Sequence, residues 1–317
     1  MRYLVNKLFL PVLVPIDILG NILFFWTKLK KKPDSIRKVL FIRLEHIGDM
    51  IMATPVFESF KRDHPGCEVH VACKNLTAPL LKNNPFVDKI ITYDAPWFNK
   101  RIEDKNRKLG DLIGELKKEG YNVVFEMHGD PRNNYLAFRT GAYSVGYSCR
   151  GFGFLLNKII DYNNKIQMIK QNLTLIDDFC KVKTEKTSIF VDNEAKRNAG
   201  SLIRMHKLSK FIIINPRSGR AEKDLTDNEV VDFITKNKSS KIVIAGSASE
   251  SEKNKEFERF PNVINLTGKT DLLTLVELVR KAKKIIAPDT GIIHIAKAVG
   301  TEFEAIYKTT DKNVWGY

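Results

Sequence analysis

Residues 39–63 read VLFIRLEHIGDMIMATPVFESFKRD, and this stretch decides the fold class. It opens with a short apolar run at 39–43 that is typical of a buried strand. A glycine-containing turn at Gly48 follows, and a segment that suits a helix runs from about Met50 to Asp63. A strand that leads directly into a helix is the repeating unit of α/β proteins.

The same pattern recurs along most of the chain. Further strands are predicted at residues 68–72, 89–93, 122–126, 211–215, 241–245, 263–265 and 284–287. Helices are predicted at about residues 76–83, 104–119, 131–140, 192–207, 226–237, 249–258, 271–282 and 292–299. Strands that alternate with helices predict parallel sheets covered on both faces. In such sheets ligands bind beyond the carboxyl ends of the strands.

A polar stretch rich in Lys and Asn at about 161–187 interrupts this alternation. We therefore predict two Rossmann-like domains, at residues 37–185 and 186–317, after a hydrophobic segment at residues 1–36. The length of 317 residues is sufficient for two domains that each bury a core.

The composition limits the class of protein. The chain has 52 Lys and Arg against 37 Asp and Glu, a formal charge of +15, which favours an anionic partner: nucleic acid, an acidic membrane or a phosphorylated substrate. Its four cysteines form no CxxC pair and have no ligand-like spacing to the histidines, so neither a zinc module nor a disulfide framework is expected. A reducing compartment fits best.

The segment at residues 8–26, LFLPVLVPIDILGNILFFW, carries one charge, Asp17, and lysines follow it. Pro15 is expected to begin a helix on which Asp17, Asn21 and Lys28 form a narrow polar stripe. This pattern is typical of a helix in the membrane interface, so residues 8–29 are predicted to contact a membrane surface. Two alternatives are a spanning anchor, with the main body in the cytoplasm, and a helix packed on the protein's own core.

The first informative loop joins Arg43 to Asp49. Asp49 is expected at a helix N-terminus, where the helix dipole keeps a carboxylate ionised. It is either only the N-cap of that helix or a general base for a sugar hydroxyl. Arg43 and His46 beside it are candidates for holding anionic groups.

The second informative loop, at residues 288–294, also leads from a strand into a helix. Free backbone N–H groups at such a turn bind anions, and Thr290, Gly291 and His294 suit a phosphate. The alternative is that Asp289 caps the helix and His294 only packs.

Two more loops follow strands in the second domain. Residues 215–223, NPRSGRAEK, offer small residues and the cations Arg217, Arg220 and Lys223 to a diphosphate, or form a solvated basic loop. A capping box is predicted from Thr226 to Glu229. Glu250 is placed either to bind a ribose or to begin a helix. Together these loops predict a nucleotide site in the second domain and a base in the first, meeting at a cleft.

At this point the sequence resembles a known family. The stretches IRLEHIGDMIMATP at 42–55, NLTGKTDL at 265–272 and DTGIIHIA at 289–296 are similar to signatures of glycosyltransferase family 9, the ADP-heptose:lipopolysaccharide heptosyltransferases. Similarity also runs through residues 84–88, His128-Gly129 with Arg132, and Gly146-Tyr147, and it covers about residues 37–307. The resemblance implies the GT-B fold.

The resemblance also implies roles for matched residues. Asp49 takes the place of the catalytic base of an inverting transferase. The positions that match donor-binding residues are Lys223, Asp289, Thr290, Gly291 and His294, with Ser218, Gly219 and Glu250 matching less closely. No DxD motif occurs, which agrees with a family that needs no metal or other cofactor. The resemblance also implies a nucleotide sugar as the donor, here expected to be ADP-heptose. Acceptor-binding candidates are Arg43, His46, His128, Arg132, Arg139 and Arg150, which suit an anionic glycolipid.

The sequence departs from the family pattern in three places. Asp224-Leu225 replace an aromatic residue after Lys223, residues 308–311 depart from the usual turn, and the chain stops at Tyr317 instead of continuing into a returning helix. A shortened second domain is therefore expected.

We expect a membrane-associated heptosyltransferase acting on a lipopolysaccharide-type glycolipid or surface polysaccharide at the cytoplasmic face of the inner membrane. One alternative is a non-catalytic membrane scaffold that retains a nucleotide fold. The other is a nucleic-acid-binding protein, against which the absence of helix-turn-helix, RNP and zinc patterns argues.

Overall fold

The computed structural model describes residues 3–98 and 107–317. The chain divides into two compact units, Met1–Ala78 with Pro85–Glu185, and Pro79–Asn84 with Lys186–Tyr317. Each unit contains one sheet in which every strand pairing is parallel, which confirms the predicted α/β class.

The first unit has a six-stranded sheet in the order β3-β2-β1-β4-β5-β6. Its strands are β1 (Lys38–Arg43), β2 (Glu68–Cys73), β3 (Lys89–Thr92), β4 (Val123–Glu126), β5 (Tyr143–Tyr147) and β6 (Lys158–Ile160). Its helices are α1 (Leu10–Leu23), α2 (Ile47–Asp63), α3 (Leu109–Lys118), α4 (Pro131–Arg139) and α5 (Met168–Thr174).

Strand β1 lies in the middle of the first sheet. All of its residues from Val39 to Arg43 are buried, because helices cover both faces. Phe41 packs on Phe57 and Phe60 of α2 and stacks on Phe125 of β4, with ring centroids 5.0–5.6 Å apart. The chain adds β2 and β3 on one side of β1 and then β4 on the other. The β1–β4 boundary is therefore a topological switch point, where loops diverge to leave room for a ligand.

The second unit has a five-stranded sheet in the order β11-β10-β7-β8-β9. Its strands are β7 (Ile212–Ile214), β8 (Ile242–Ile244), β9 (Val263–Asn265), β10 (Lys284–Pro288) and β11 (Glu302–Ile306). Its helices are α6 (Asn193–Met205), α7 (Asp227–Lys236), α8 (Ser251–Asn254), α9 (Leu272–Lys281), α10 (Gly291–Val299) and α11 (Lys312–Trp315). The switch point here lies between β7 and β10.

Several predicted elements were wrong. Residues 76–83 form only a 3-10 turn, Ala78–Leu80, because Pro79 lacks the N–H that a longer helix needs. The helix predicted at 249–258 is broken into α8 and two 3-10 turns, Ala248–Glu250 and Lys255–Arg259. Strands β5, β6 and β11 and helix α5 were missed. Residues 1–2 of the predicted N-terminal segment and 104–106 of a predicted helix lie outside the described residues.

The N-terminal arm, defined here as residues 3–32, docks on the first unit, as the alternative of a helix packed on the protein's own core expected, but large apolar side chains of the arm stay exposed. Helix α1 begins at Leu10, with Pro11 in its first turn and Pro15 in its interior, so the predicted start at Pro15 was wrong. The buried Asp17 side chain contacts the backbone of the first unit. Gly20 lies against the Phe154 ring, where a Cβ would come within 2.3 Å.

Other polar groups of the arm also bind the first unit. Thr27 donates its hydroxyl to the carbonyl of Phe154 at 2.8 Å, and Lys28 donates its ammonium to the carbonyls of Gly153 and Leu156. Asp17 and Lys28 of the polar stripe therefore contact the body, whereas Asn21 is exposed and donates to the Asp17 carbonyl within α1. Large apolar side chains with exposed fractions of 40–81% cover the outside of the arm: Leu8, Phe9, Val12, Ile16, Ile18, Leu19, Ile22, Leu23, Phe25, Trp26 and Leu29. No helix formed by residues 3–98 and 107–317 has both the length and the apolar character to cross a bilayer.

Candidate active site

Asp49 lies in the first turn of α2, directly after β1. The N-cap of α2 is His46, and Asp49 is the third helical residue, whose Oδ2 accepts the His46 backbone N–H at 3.2 Å. The alternative that Asp49 is the N-cap was therefore wrong, and Gly48 belongs to the helix and not to a turn before it. The carboxylate lies at the positive end of the helix dipole, where a negative charge is stabilised.

Arg43 binds the other oxygen of Asp49. Its guanidinium Nη2 lies 3.3 Å from Asp49 Oδ1, and its Nε lies 3.3 Å from Glu45 Oε2. Its Nη1 donates to the carbonyl of Met127, which follows β4. Burial alone would lower the pKa of Arg43, but the carboxylates of Glu45 and Asp49 raise it. A fully buried cation thus ties the loop after β1 to the loop after β4.

Two buried glutamates, which the sequence analysis missed, adjoin this cation. Burial raises the pKa of Glu45 to about 7, against the opposing effect of Arg43. Burial and the neighbouring Glu45 raise the pKa of Glu126 to about 8, although Glu126 accepts the backbone N–H groups of His128 and Gly129. Their positions at the carboxyl ends of β1 and β4, and the place of Glu45 within the 42–55 signature, are the sequence signals that could have identified them.

The structure brings together some of the acceptor-binding candidates. His128 Nδ1 lies 3.6 Å from Glu45 Oε1, and Arg150 Nη1 lies 2.7 Å from His128 Nε2. Burial and Arg150 lower the pKa of His128 to about 2, so its imidazole is neutral. Arg43, His128 and Arg150 therefore belong to one cluster beside Asp49.

His46 and Arg132 adjoin this cluster, since both also act on the pKa of His128, and Arg132 and Arg139 lie on α4. Arg132 forms a paired contact with Asp130 at 2.7–2.8 Å and stacks over Trp97. Arg139 contacts Tyr135 at the far end of α4, about 10 Å along the helix from Arg132 at 1.5 Å per residue.

Two groups among the described residues have three metal-binding atoms within 4.8 Å of one another, Glu45–Glu126–His128 and Asp63–His64–Cys180. The guanidinium groups of Arg43 and Arg150 contact the first group, and their positive charge opposes a cation there. Sequence spacing had indicated no grouping of cysteine with histidine, and the fold alone brings Cys180 beside His64.

In the second unit, the loops after β7 and β10 meet at the switch point. Lys223 Nζ lies 3.2 Å from Asp289 Oδ2, in an ion pair that is largely buried. The N-cap of α10 is Thr290, so the alternative that Asp289 caps the helix was wrong. The buried Thr290 hydroxyl has no hydrogen-bond partner among the described residues. Gly291 is the first residue of α10, so the backbone N–H groups of Gly291 and Ile292 have no partner within the helix and can bind an anion, whereas that of Ile293 donates to the Thr290 carbonyl.

His294 lies one turn into α10. Its Nδ1 lies 2.7 Å from the hydroxyl of Tyr317, and its Nε2 lies 3.8 Å from Asp289 Oδ1. Burial raises the pKa of Tyr317, so this hydroxyl stays protonated. The last residue of the chain therefore packs against the candidate donor site.

The remaining donor candidates hold their own loops together. Ser218 donates its hydroxyl to Asp224 Oδ1 at 2.9 Å, while the space around Gly219 is open. Glu250 accepts the N–H of Ser247 at 3.0 Å, so its carboxylate caps a 3-10 turn. The predicted capping box between Thr226 and Glu229 is confirmed.

Comparison with known proteins agrees with this architecture. The profile of glycosyltransferase family 9 (heptosyltransferase) matches residues 109–317, more than half of the chain. Lipopolysaccharide heptosyltransferase 1 of Campylobacter coli is 25% identical over 297 residues, which cover 86% of this chain and 84% of the relative.

Two solved structures share the fold. A family 9 glycosyl transferase from Veillonella parvula matches with a TM-score of 0.78 at 20% identity, covering 90% of this chain and 86% of the other. The ADP-heptose lps heptosyltransferase II of E. coli matches with a TM-score of 0.72 at 19% identity, covering 88% and 87%. The expected GT-B fold is thus confirmed, and the chain belongs to glycosyltransferase family 9, the heptosyltransferases.

Proposed function

We propose that this glycosyltransferase moves a heptose from ADP-heptose to an acceptor hydroxyl of a lipopolysaccharide-type glycolipid or surface polysaccharide, with inversion at the anomeric carbon and without a metal ion. The observation that carries the proposal is the meeting of Lys223, Asp289 and Thr290 at the switch point of the second unit. The same donor is part of the name of the E. coli structural relative.

The second unit binds the donor diphosphate in this proposal. The Lys223 ammonium neutralises phosphate charge, the unpaired Thr290 hydroxyl donates a hydrogen bond, and the backbone at Gly291 lets a phosphate approach the start of α10. His294 lies one turn into α10 and stabilises this turn through its contact with Asp289. Ser218, Gly219 and Glu250 shape the flanking loops. The positive charge that a metal would bring to the leaving diphosphate is supplied by the protein.

Asp49 acts as the base. One carboxylate oxygen takes the proton of the acceptor hydroxyl, and the hydroxyl oxygen attacks the anomeric carbon from the face opposite the diphosphate. The bond from that carbon to the diphosphate breaks, and its electron pair leaves with the phosphate oxygen. The Arg43 guanidinium and the positive end of the α2 dipole lie beside the Asp49 carboxylate and hold it in position for this step.

The first unit binds an anionic acceptor. The positive and hydrogen-bonding groups for its phosphate or carboxylate substituents come from Arg43, His46, His128, Arg132, Arg139 and Arg150. The apolar outer face of the arm holds the enzyme on the cytoplasmic face of the inner membrane. The four cysteines are free and buried, which agrees with a reducing compartment.

The experiment compares sugar transfer by Asp49→Asn and Asp111→Asn. Asp111 is a matched control because it too is the third residue of a helix, α3, and accepts the N–H of the N-cap residue Lys108. We expect Asp49→Asn to lower kcat by at least about 100-fold, with donor affinity kept, and Asp111→Asn to transfer at the wild-type rate. Full activity of Asp49→Asn would refute the base assignment.

The donor and the metal requirement are tested in the same assay. We expect transfer from ADP-heptose but not from UDP- or GDP-sugars, and an unchanged rate after dialysis against EDTA. A rate that collapses in EDTA and returns with one divalent cation would contradict metal independence.

A further inference from the structure

A pocket lies between the N-terminal arm and the body of the first unit. It has a volume of about 330 Å³, and its wall on the arm side is apolar, formed mainly by Phe9, Val12 and Ile16. Asp130, Pro131, Arg132 and Arg150 line the body side, and the Asp130 carboxylate is held by Arg132. The volume is at the low end for small-ligand sites, which suits one part of a larger molecule.

The arm wall of this pocket is held in place. Asp17 binds the backbone of Phe152, Gly20 packs on Phe154, and a Cβ on Gly151 would come within 2.5 Å of the Leu13 side chain. These contacts fix α1 against the loop at residues 150–156, which also carries Arg150. The pocket is therefore preformed and does not depend on a bound ligand.

The two arginines of the pocket differ in whether a carboxylate already forms an ion pair with them. Arg132 is already paired with Asp130. Arg150 contacts the neutral imidazole of His128, and within residues 3–98 and 107–317 no carboxylate forms an ion pair with it. An anion in the pocket would thus meet one guanidinium that forms no ion pair among the described residues and whose charge acts on the carboxylate of Glu45 only at longer range. Guanidinium groups bind phosphate strongly.

The apolar wall continues into the outer face of the arm. Val12 and Ile16 are exposed, as are Leu19 and Leu23 one and two turns further along α1. A large apolar surface of this kind marks contact with a membrane or a protein partner. Beside it, a single unpaired cation favours a lipid with an anionic headgroup.

The pocket is also linked to the proposed base. Arg150 contacts His128, His128 adjoins Glu45, Glu45 pairs with Arg43, and Arg43 pairs with Asp49, with successive separations of 2.7–3.6 Å. A lipid whose phosphate lies on Arg150 would have its headgroup beside the cluster that contains Asp49.

We propose that this pocket binds the lipid end of the acceptor, with a phosphate on Arg150 and the first methylene groups of an acyl chain on Phe9, Val12 and Ile16. The proposal deepens the proposed function and rests on it for the identity of the lipid. It makes the arm part of the acceptor site and not only an anchor.

Binding is measured first, by calorimetry on the full chain with dihexanoyl phosphatidic acid below its micelle concentration. We expect one site, at least about 10-fold weaker binding of dihexanoyl phosphatidylcholine, and no competition from inorganic phosphate at equal concentration. Arg150→Gln and Val12→Asp should each weaken binding at least 10-fold. The matched control, Ile22→Asp, changes an exposed arm residue outside the pocket and should keep wild-type affinity.

Equal binding of the two lipids, equal loss in Ile22→Asp, or full competition by inorganic phosphate would overturn the proposal, since each indicates a general apolar surface or a simple anion site. The binding measurement needs no sugar transfer, so its result does not depend on whether the proposed activity is correct.

Transfer to acylated and deacylated acceptor in detergent then tests the lipid's identity. In Val12→Asp we expect KM to rise about 10-fold for the acylated acceptor only. An equal KM change for both acceptors would mean that the pocket serves a bulk phospholipid instead, and would overturn the assignment to the acceptor.

Discussion

The carboxylate of Asp17 accepts a hydrogen bond from the backbone N–H of Phe152 at 2.8 Å. Phe152 has a φ of 60°, in the left-handed region that non-glycine residues rarely adopt. The other carboxylate oxygen accepts the Tyr3 hydroxyl at 2.6 Å. The single acidic residue of the apolar segment therefore ties Tyr3 of the arm to the body, in addition to the contacts made by Gly20, Thr27 and Lys28.

Replacing Asp17 with Asn should loosen this joint. The amide keeps the size of the side chain but loses charge-assisted acceptance of two hydrogen bonds, so we expect the free energy of unfolding to fall by about 1–3 kcal/mol in urea titrations. The exposed neighbour Ile18 is the control, and Ile18→Ala should stay within about 0.5 kcal/mol of wild type. A larger loss in the free energy of unfolding for Ile18→Ala than for Asp17→Asn would show that apolar contacts, and not the Asp17 hydrogen bonds, attach the arm to the first unit.

Two helical glycines offer a matched test of the packing of the arm. A Cβ at Gly20 would lie 2.3 Å from the Phe154 ring, whereas at Gly114 in α3 it would meet nothing within 4 Å. We expect Gly20→Ala to destabilise the protein by about 1–3 kcal/mol through overpacking. Gly114→Ala should stabilise it by about 0.5–1 kcal/mol, because alanine is the better helix former. Thermal unfolding measures both, and a stabilising Gly20→Ala would refute the docked position of α1.

Glu45 should make stability depend on pH. Burial raises its pKa from 4.5 to about 7, so between these pH values the folded protein binds more protons than the unfolded chain. The free energy of unfolding therefore falls as pH rises through this window. The amide side chain that Glu45→Gln introduces cannot titrate. As the pH rises from 4.5 to 8, the free energy of unfolding of this variant should therefore increase relative to that of wild type, by on the order of 1–3 kcal/mol.

Urea titrations at several pH values measure this difference. The exposed control Glu185→Gln should follow the wild-type pH profile. If the free energies of unfolding of Glu45→Gln and wild type change with pH in the same way, Glu45 is ionised over the whole pH range because Arg43 stabilises its charge.

Lys223 should contribute to donor affinity through its charge. Because a charge-assisted hydrogen bond contributes about 1.5–3 kcal/mol, we expect Lys223→Gln to raise the Kd for ADP by about 10- to 100-fold in calorimetry. Lys238, an exposed lysine that follows α7, is the control, and Lys238→Gln should bind ADP as wild type does. Equal affinities of Lys223→Gln and wild type would remove Lys223 from the donor site.

The sequence by itself determined the fold class, because strand and helix periodicities are local properties of the chain. It also determined which loops to examine, since those that follow parallel strands converge at one edge of a sheet. The signature around Asp49 and that at 289–296 then indicated the family, which the comparisons confirm.

Only the tertiary structure decided which polar groups meet. Glu126 and Glu45 are far apart in sequence and nothing local predicts that they meet, yet the pairing of β1 with β4 brings both beside Arg43, where burial raises their pKa values. The orientation of the arm was likewise not readable from its pattern. A polar stripe on an apolar helix predicts that the stripe faces water or headgroups. Here the Asp17 carboxylate accepts the Phe152 N–H and the Thr27 hydroxyl donates to the Phe154 carbonyl, and the apolar side chains are left outside.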